Sequence, residues 1–178
     1  MAGRSPVCLS APTRTCGEVT GQFEFPFRAS LVVLTQRDDL RPRDPAVRIA
    51  VHSPVREDPP LLYVLLDEEV LHRPVAPPDV MSGQMEHLLE MSRRPNVTIQ
   101  VVPHTAGGHS GLLGAFIVAE MGDAPGIVFL EDACDGRVAE DAAMVAQAMR
   151  NFDALRSEAL TRGISRDLIE KIAKDKWT

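Results

Sequence analysis

The sequence predicts a mixed α/β fold: a small mixed β-sheet with one crossover helix and two C-terminal helices. Strand-like segments occur at LLYVLL (61–66) and VTIQVV (97–102), with a helical pattern between them. The segments AFIVAE and IVFLE are separated by MGDAPG, whose Gly, Asp and Pro favour a turn. The last third of the chain repeats apolar residues at steps of three and four, which is typical of amphipathic helices.

The chain has 178 residues, of which 44% are hydrophobic, so it can bury one sizeable core. We predict a loosely ordered lead-in over residues 1–18 and a single α/β domain over 19–178. Within that domain, VTGQFEF alternates like a strand, and SLVVLTQ fits either a helix or a strand.

The central elements predict a strand–helix–strand unit. The strand 61–66 ends at an acidic cluster, and Asp79 is the predicted N-cap of the helix that follows. The apolar positions of this helix lie on one face, and the helix ends near Pro95. If the strands on either side of it are parallel, the crossover is right-handed. The predicted apolar face consists of Val80, Met81, Met85, Leu88 and Leu89.

In the C-terminal third, AFIVAE and IVFLE predict an antiparallel hairpin, and one long helix follows. That helix ends at Gly163, and Ser165 is the predicted N-cap of a final helix, with Ile164 and Ile169 forming a hydrophobic staple. The apolar stripe of the long helix must be buried against something. We therefore expect a homodimer, or a bound partner helix, if the sheet leaves this stripe uncovered; it comprises Val138, Val145, Met149 and Phe152.

The formal charge of -6 and the pI near 5.4 disfavour nucleic-acid binding by this chain alone, because such surfaces cluster Lys and Arg. No apolar run has the length of a membrane span, and the N-terminus does not resemble a signal peptide, so we expect a cytoplasmic protein without membrane contact. Cys8, Cys16 and Cys134 form no CxxC pair, and we expect them to be reduced thiols.

Two segments hold the candidate site residues. Asp67, Glu68 and Arg73 follow the first strand, and His104, His109 and Ser110 lie in the glycine-rich loop after the second strand. We predict that these six bind a ligand, with Glu68 and His109 as the candidates for catalysis. The structural alternative is an acidic cluster paired with Arg73, and a loop that the glycines allow to turn tightly.

Several kinds of chemistry are disfavoured in this loop. It has neither the GK[ST] of a phosphate-binding loop nor the GxSxG of a serine hydrolase, and we expect no cofactor. A metal ion would need a third ligand beside His104 and His109. Asp67 or Glu68 could supply that ligand only if the two strands are neighbours. We therefore predict no metal site.

Three stretches carry a family likeness: LLYVLLDEEVLHRPV, MSGQMEHLLEMSRRPNVTIQVVPHTAGGHSGLLGAF and FDALRSEALTRGISRDLIEKIA. Together they resemble the domain of unknown function that follows the helix-turn-helix in antitoxin-like, xenobiotic-response-element-class regulators of actinobacteria. The likeness covers about residues 45–177. It implies a regulatory domain often encoded beside a small partner protein. Too few residues precede the matching region for a helix-turn-helix, so we expect that module to be lacking.

These observations support two functions. The first is a stand-alone small-molecule-sensing or protein-interaction domain, which binds an unknown small molecule or a small partner protein. The alternative is a small enzyme of a metabolite biosynthetic pathway, with an acid–base pocket at Glu68, Arg73, His104 and His109. The sequence leaves catalysis undecided, and the absence of a recognisable catalytic motif weighs against an enzyme.

Overall fold

The computed structural model describes residues 31–36, 61–121, 124–131 and 136–177. The predicted lead-in, the VTGQFEF segment and the three cysteines lie outside these ranges. The described strands are β1 (Leu31–Gln36), β2 (Leu61–Asp67), β3 (Val97–Val102), β4 (Phe116–Met121), β5 (Ala124–Glu131) and β6 (Gly136–Ala139). The α-helices are α1 (Glu68–His72), α2 (Pro78–Met91), α3 (Ala142–Glu158) and α4 (Arg162–Lys176), and short 3-10 turns span His104–Ala106 and Ser110–Leu113.

The predicted mixed sheet is confirmed. Its six described strands lie in the order β3-β2-β1-β4-β5-β6. The pairs β2–β3 and β1–β4 are parallel, whereas β1–β2, β4–β5 and β5–β6 are antiparallel. The β4–β5 hairpin therefore forms as predicted, and α2 is the crossover helix between parallel neighbours. Asp67 is in register with Val102, so β2 and β3 end at the same edge of the sheet.

Helices cover both faces of the sheet, which explains why β2 is a nearly continuous apolar run. On one face, Leu62, Val64 and Leu66 pack in a core cluster with α2 and α4. On the other face, Leu65 packs in a second cluster with residues of β4, β5 and α3. Successive side chains of a strand point to opposite faces, so this one strand supplies both clusters.

The predicted crossover helix forms, but its N-terminus differs from the prediction. It begins at Pro78 with Pro77 as the N-cap, and Asp79 lies in the first turn. Proline fits the first helical position because its backbone nitrogen has no hydrogen to leave unpaired. Met81, Met85, Leu88 and Met91 are buried, whereas Val80 is exposed.

The long C-terminal helix is shorter than its apolar periodicity predicted. Val138 lies in β6 and is exposed, and α3 begins after Asp141, whose side chain accepts a hydrogen bond from the Met144 N–H. Phe152 is fully buried against the sheet, and Val145 and Met149 are half-buried against the same cluster. The sheet thus covers Val145, Met149 and Phe152 of the predicted dimer stripe, whereas Val138 is exposed in β6, so the expected homodimer would need another surface.

The start of α4 also differs from the prediction. The N-cap is Thr161, and Gly163 lies within the first turn rather than ending the preceding helix. Ile164 is exposed, so it does not form the predicted staple with the buried Ile169. Ser165 is fully buried within the helix, where its hydroxyl contacts β3. None of the helices in the described part of the chain has the length and apolar character needed to cross a membrane.

Candidate functional site

The candidate site is built on the last residue of β2. Asp67 is the N-cap of α1, and its Oδ1 accepts a hydrogen bond from the Glu69 N–H at 2.8 Å. Its other oxygen, Oδ2, lies 2.9 Å from His109 Nε2. One carboxylate therefore joins the strand, the helix that follows it and the glycine-rich loop that follows the neighbouring strand β3.

The Asp67–His109 pair is largely shielded from water. Only 12% of the Asp67 side chain and 9% of the His109 side chain are exposed. An ionised carboxylate can only accept a hydrogen bond, so His109 Nε2 is the donor. The other ring nitrogen, Nδ1, is buried and has no hydrogen-bond partner among the described residues. Such an atom is unusual, because nearly all buried polar groups are paired.

The loop around His109 requires glycine at some positions, for two different physical reasons. Gly107 and Gly114 have φ angles of 68° and 144°, which side chains other than glycine rarely adopt. Gly111 is buried, and a Cβ atom there would lie 3.1 Å from His109 Nδ1 and 3.3 Å from Leu155 Cδ2. The missing side chain at Gly111 therefore allows the turn to close over the imidazole ring. Gly108 has open space around it, so neither reason applies there.

Glu68 binds the start of the same loop. Its Oε2 accepts a hydrogen bond from the His104 N–H at 2.9 Å. Its Oε1 lies 3.7 Å from His72 Nε2 and 3.8 Å from His104 Nε2. The His72 and His104 rings stack, with centroids 5.7 Å apart and planes inclined by 24°. Two histidines from different segments therefore face one carboxylate oxygen.

The electrostatic character of this edge is acidic. Asp67, Glu68 and Glu69 are consecutive, and within the described ranges they form ion pairs only with His72, His104 and His109. No lysine or arginine from those ranges neutralises them, so the site favours cationic or hydrogen-bond-donating ligands.

A comparison with protein families finds one family whose model covers most of the chain. A family model described as a domain of unknown function, DUF5753, matches residues 34–171. The chain belongs to the DUF5753 family. Searches of curated proteins and of solved structures found no significant match for this DUF5753 domain.

Four of the six predicted site residues meet at this edge of the DUF5753 domain: Asp67, Glu68, His104 and His109. The two strands are neighbours, which was the condition for a third metal ligand beside His104 and His109. The two histidines, however, approach different carboxylates. Arg73 is the exposed C-cap of α1 and forms no ion pair with the acidic cluster in the described structure, so the predicted pairing is wrong. Ser110 begins a 3-10 turn and does not hydrogen-bond His109, whose Nδ1 is unpaired and whose Nε2 contacts Asp67.

His72 is the residue that the sequence analysis missed. It lies four residues after Glu68 on α1, and this spacing places two side chains on the same face of a helix. The Glu-x-x-x-His pattern at 68–72 was therefore a usable signal.

The C-terminal end of α4 and the residue that follows it anchor the short helix that carries these residues. Trp177 is buried, and its Nε1 donates a hydrogen bond to the Leu71 carbonyl at 2.9 Å. Lys176 Nζ donates to the His72 carbonyl at 2.6 Å. A helix of only five residues is marginal in isolation, so these contacts from α4 and Trp177 help to hold α1 in place.

Proposed function

We propose that this DUF5753 domain senses a small polar molecule at the Asp67–His109 pair and transmits binding through the loop that contains residues 103–115. The observation that carries this proposal is the buried, unpaired Nδ1 of His109 beside an intact hydrogen bond to Asp67. A bound molecule that supplied a partner for Nδ1 would remove the cost of leaving a polar atom buried and unsatisfied.

The loop offers a physical means of responding. The Ser110–Leu113 turn closes over His109, yet Leu112 and Leu113 expose 57% and 91% of their surface. Moving this turn would therefore sacrifice little buried apolar surface at these two leucines. A ligand that reached Nδ1 would displace the turn and change the surface that presents both side chains. A small partner protein could recognise the changed surface by binding to it.

The resemblance to regulators of the antitoxin-like, xenobiotic-response-element class supports a sensing role. In such a system the domain would act in the cytoplasm through a partner protein rather than through DNA contacts of its own. The charge of -6 supports the second point, because binding to duplex DNA depends on neutralising phosphates.

A second candidate function is favoured by the same pair. A histidine oriented by a carboxylate is the arrangement of a general base, and Nδ1 would be its basic atom. This enzyme would act on a small metabolite that enters beneath the Ser110–Leu113 turn. Turnover of the bound molecule, as opposed to its recovery unchanged, distinguishes the enzyme from the sensor.

The test is a thermal-shift screen of the full chain against amino acids, nucleosides and sugar acids, repeated on three variants. His109→Gln retains an N–H donor for Asp67 but lacks the second ring nitrogen, and Asp67→Asn removes the carboxylate. His87→Ala, on α2, is the control. We expect a molecule that stabilises the wild type and the control but neither site variant.

Hydrogen exchange then locates the response. The same molecule should change the exchange of amides in residues 103–115 while leaving those of β4 and β5 unaffected. The proposal fails if no molecule in these classes stabilises the wild type, or if the stabilisation persists in His109→Gln.

A further inference from the structure

A second group of side chains lies beside the Asp67–His109 pair and does not share its residues. Glu68, His72 and His104 each offer one ligand atom, and these three atoms lie within 4.8 Å of one another. Both histidine Nε2 atoms face the same carboxylate oxygen, Glu68 Oε1, at 3.7 and 3.8 Å. The donor set is two imidazole nitrogens and one carboxylate oxygen.

The distances from Glu68 Oε1 to the two histidine Nε2 atoms are informative because they are too long for hydrogen bonds. A contact beyond about 3.5 Å is not a hydrogen bond, so these atoms converge without satisfying one another directly. Ligand atoms around a tetrahedral zinc ion, each about 2.1 Å from the metal, are roughly 3.4 Å apart. The Glu68–histidine gaps exceed that spacing by only a few tenths of an ångström, which small rotations of the exposed rings would remove.

The scaffold holds two of the three ligands in a fixed relation. Glu68 and His72 are four residues apart on α1, so they share a helix face. The Glu68 carboxylate is oriented by the hydrogen bond from the His104 N–H to its other oxygen, Oε2. This is the role that a second partner of a metal-bound carboxylate normally plays, since it fixes the direction of the free oxygen.

We infer that Glu68, His72 and His104 bind a divalent transition-metal ion, with zinc as the representative. Imidazole nitrogen suits zinc and its neighbours in the first transition row, whereas magnesium and calcium prefer oxygen ligands. Two histidines and one glutamate are a known donor set for zinc sites that keep a fourth position open. Exposure of 33% of the His72 and 53% of the His104 side chain places that position toward solvent.

A neighbouring carboxylate favours a cation here, while the Lys176 ammonium lies on the backbone side of His72, 2.6 Å from its carbonyl oxygen. Glu69 Oε2 lies 3.9 Å from His104 Nε2 and adds a second carboxylate beside the ligand set. The inference departs from the sequence prediction of no metal site, because His72 takes the place of His109 beside His104 and Glu68. It also goes beyond the proposed sensing function, whose Asp67–His109 pair contributes no ligand.

The test is a titration of the full chain with zinc chloride in competition with a chromophoric chelator. We expect one equivalent of zinc to bind to the His72–His104 site. His72→Ala, His104→Ala and Glu68→Gln should each weaken that binding by roughly 10- to 100-fold or more, since even changes to outer-shell partners have effects of this size. Glu68→Gln keeps an acceptor for the His104 N–H, so it removes the charge with little change to the loop.

Matched controls are Glu86→Gln and His87→Ala on α2, which should bind zinc like the wild type. Nitrogen NMR of the imidazoles should show zinc-dependent shifts at His72 and His104 but not at His87, and melting temperatures check that each variant folds. The inference is overturned if zinc fails to bind at millimolar concentration or binds equally well to His72→Ala. His109→Gln should retain zinc binding. A failure of the zinc-site inference is therefore distinguishable from a failure of the sensing proposal.

Discussion

The Ser165 hydroxyl on α4 accepts a hydrogen bond from the Val101 N–H on β3, with the two atoms 3.0 Å apart. The same hydroxyl lies 3.3 Å from the Leu160 carbonyl, to which it donates. Since β3 is the last described strand on its side of the sheet, the outward N–H of Val101 has no strand partner there. Ser165 satisfies it, and the Leu160 N–H bonds the Val101 carbonyl at 2.8 Å. The segment between α3 and α4 thus covers this edge.

The first prediction is that Ser165→Ala destabilises the domain by about 1–3 kcal/mol, because the substitution leaves the buried Val101 N–H without a partner. Urea unfolding measures the change. Ser157→Ala is the control, because the Ser157 hydroxyl is exposed and bonds only the preceding turn of its own helix. Equal effects of the two substitutions would show that Ser165 does not protect this edge.

The second prediction concerns Trp177, the single tryptophan of the chain. Trp177→Phe keeps most of the apolar burial but removes the hydrogen bond to the Leu71 carbonyl, so we expect a loss of about 1–3 kcal/mol. Amides of α1 should also exchange faster with solvent, because α4 no longer holds that helix as firmly. Lys171→Ala, at an exposed position of α4, should change neither quantity appreciably. Unchanged exchange in α1 would contradict the anchoring role of Trp177.

The third prediction uses two glycines with opposite surroundings. Gly111→Ala should destabilise the domain, because the new methyl group would press on His109 and Leu155 at 3.1–3.3 Å. Gly83→Ala should instead stabilise it by about 0.5–1 kcal/mol, since Gly83 lies within α2 and has nothing within 4 Å of the added atom. Thermal melting compares both variants with the wild type. Tolerance of alanine at position 111 would show that the turn does not press closely on the imidazole.

The fourth prediction concerns pH. A hydrogen bond from the Lys174 side chain, followed by the charge of Lys174, lowers the pKa of Glu170 below its ordinary value of 4.5. Because the folded pKa is the lower one, the stabilising contribution is present above pH 4.5 and is lost as the pH falls through the folded pKa. Lys174→Gln should raise the pKa of Glu170, as measured by NMR titration of its carboxyl carbon. Lys171→Gln is the control, and an unmoved Glu170 in Lys174→Gln would refute the assignment.

The sequence by itself determined most of the regular elements, because their signals are local, but it left β1 open between helix and strand and did not predict α1 or β6. The apolar run of β2, the alternation of β3, the Gly, Asp and Pro in the sequence between AFIVAE and IVFLE, and the periodicity of α3 and α4 each depend on residues a few positions apart. The acidic end of β2 and the histidines after β3 were likewise recognisable as a candidate site. These two segments lie close together because the crossover makes β2 and β3 parallel neighbours that end at the same edge of the sheet.

Only the tertiary structure decided what individual side chains do. Ser165 was predicted to cap its own helix, but its partner is Val101, 64 positions away in the chain. Asp67 contacts His109 across 42 positions, and Gly111 is required by the ring that this contact places beside it. Such pairings depend on the packing of helices and loops against the sheet. Local periodicity carries no information about them, because it specifies which face of an element is apolar and not which residue lies opposite.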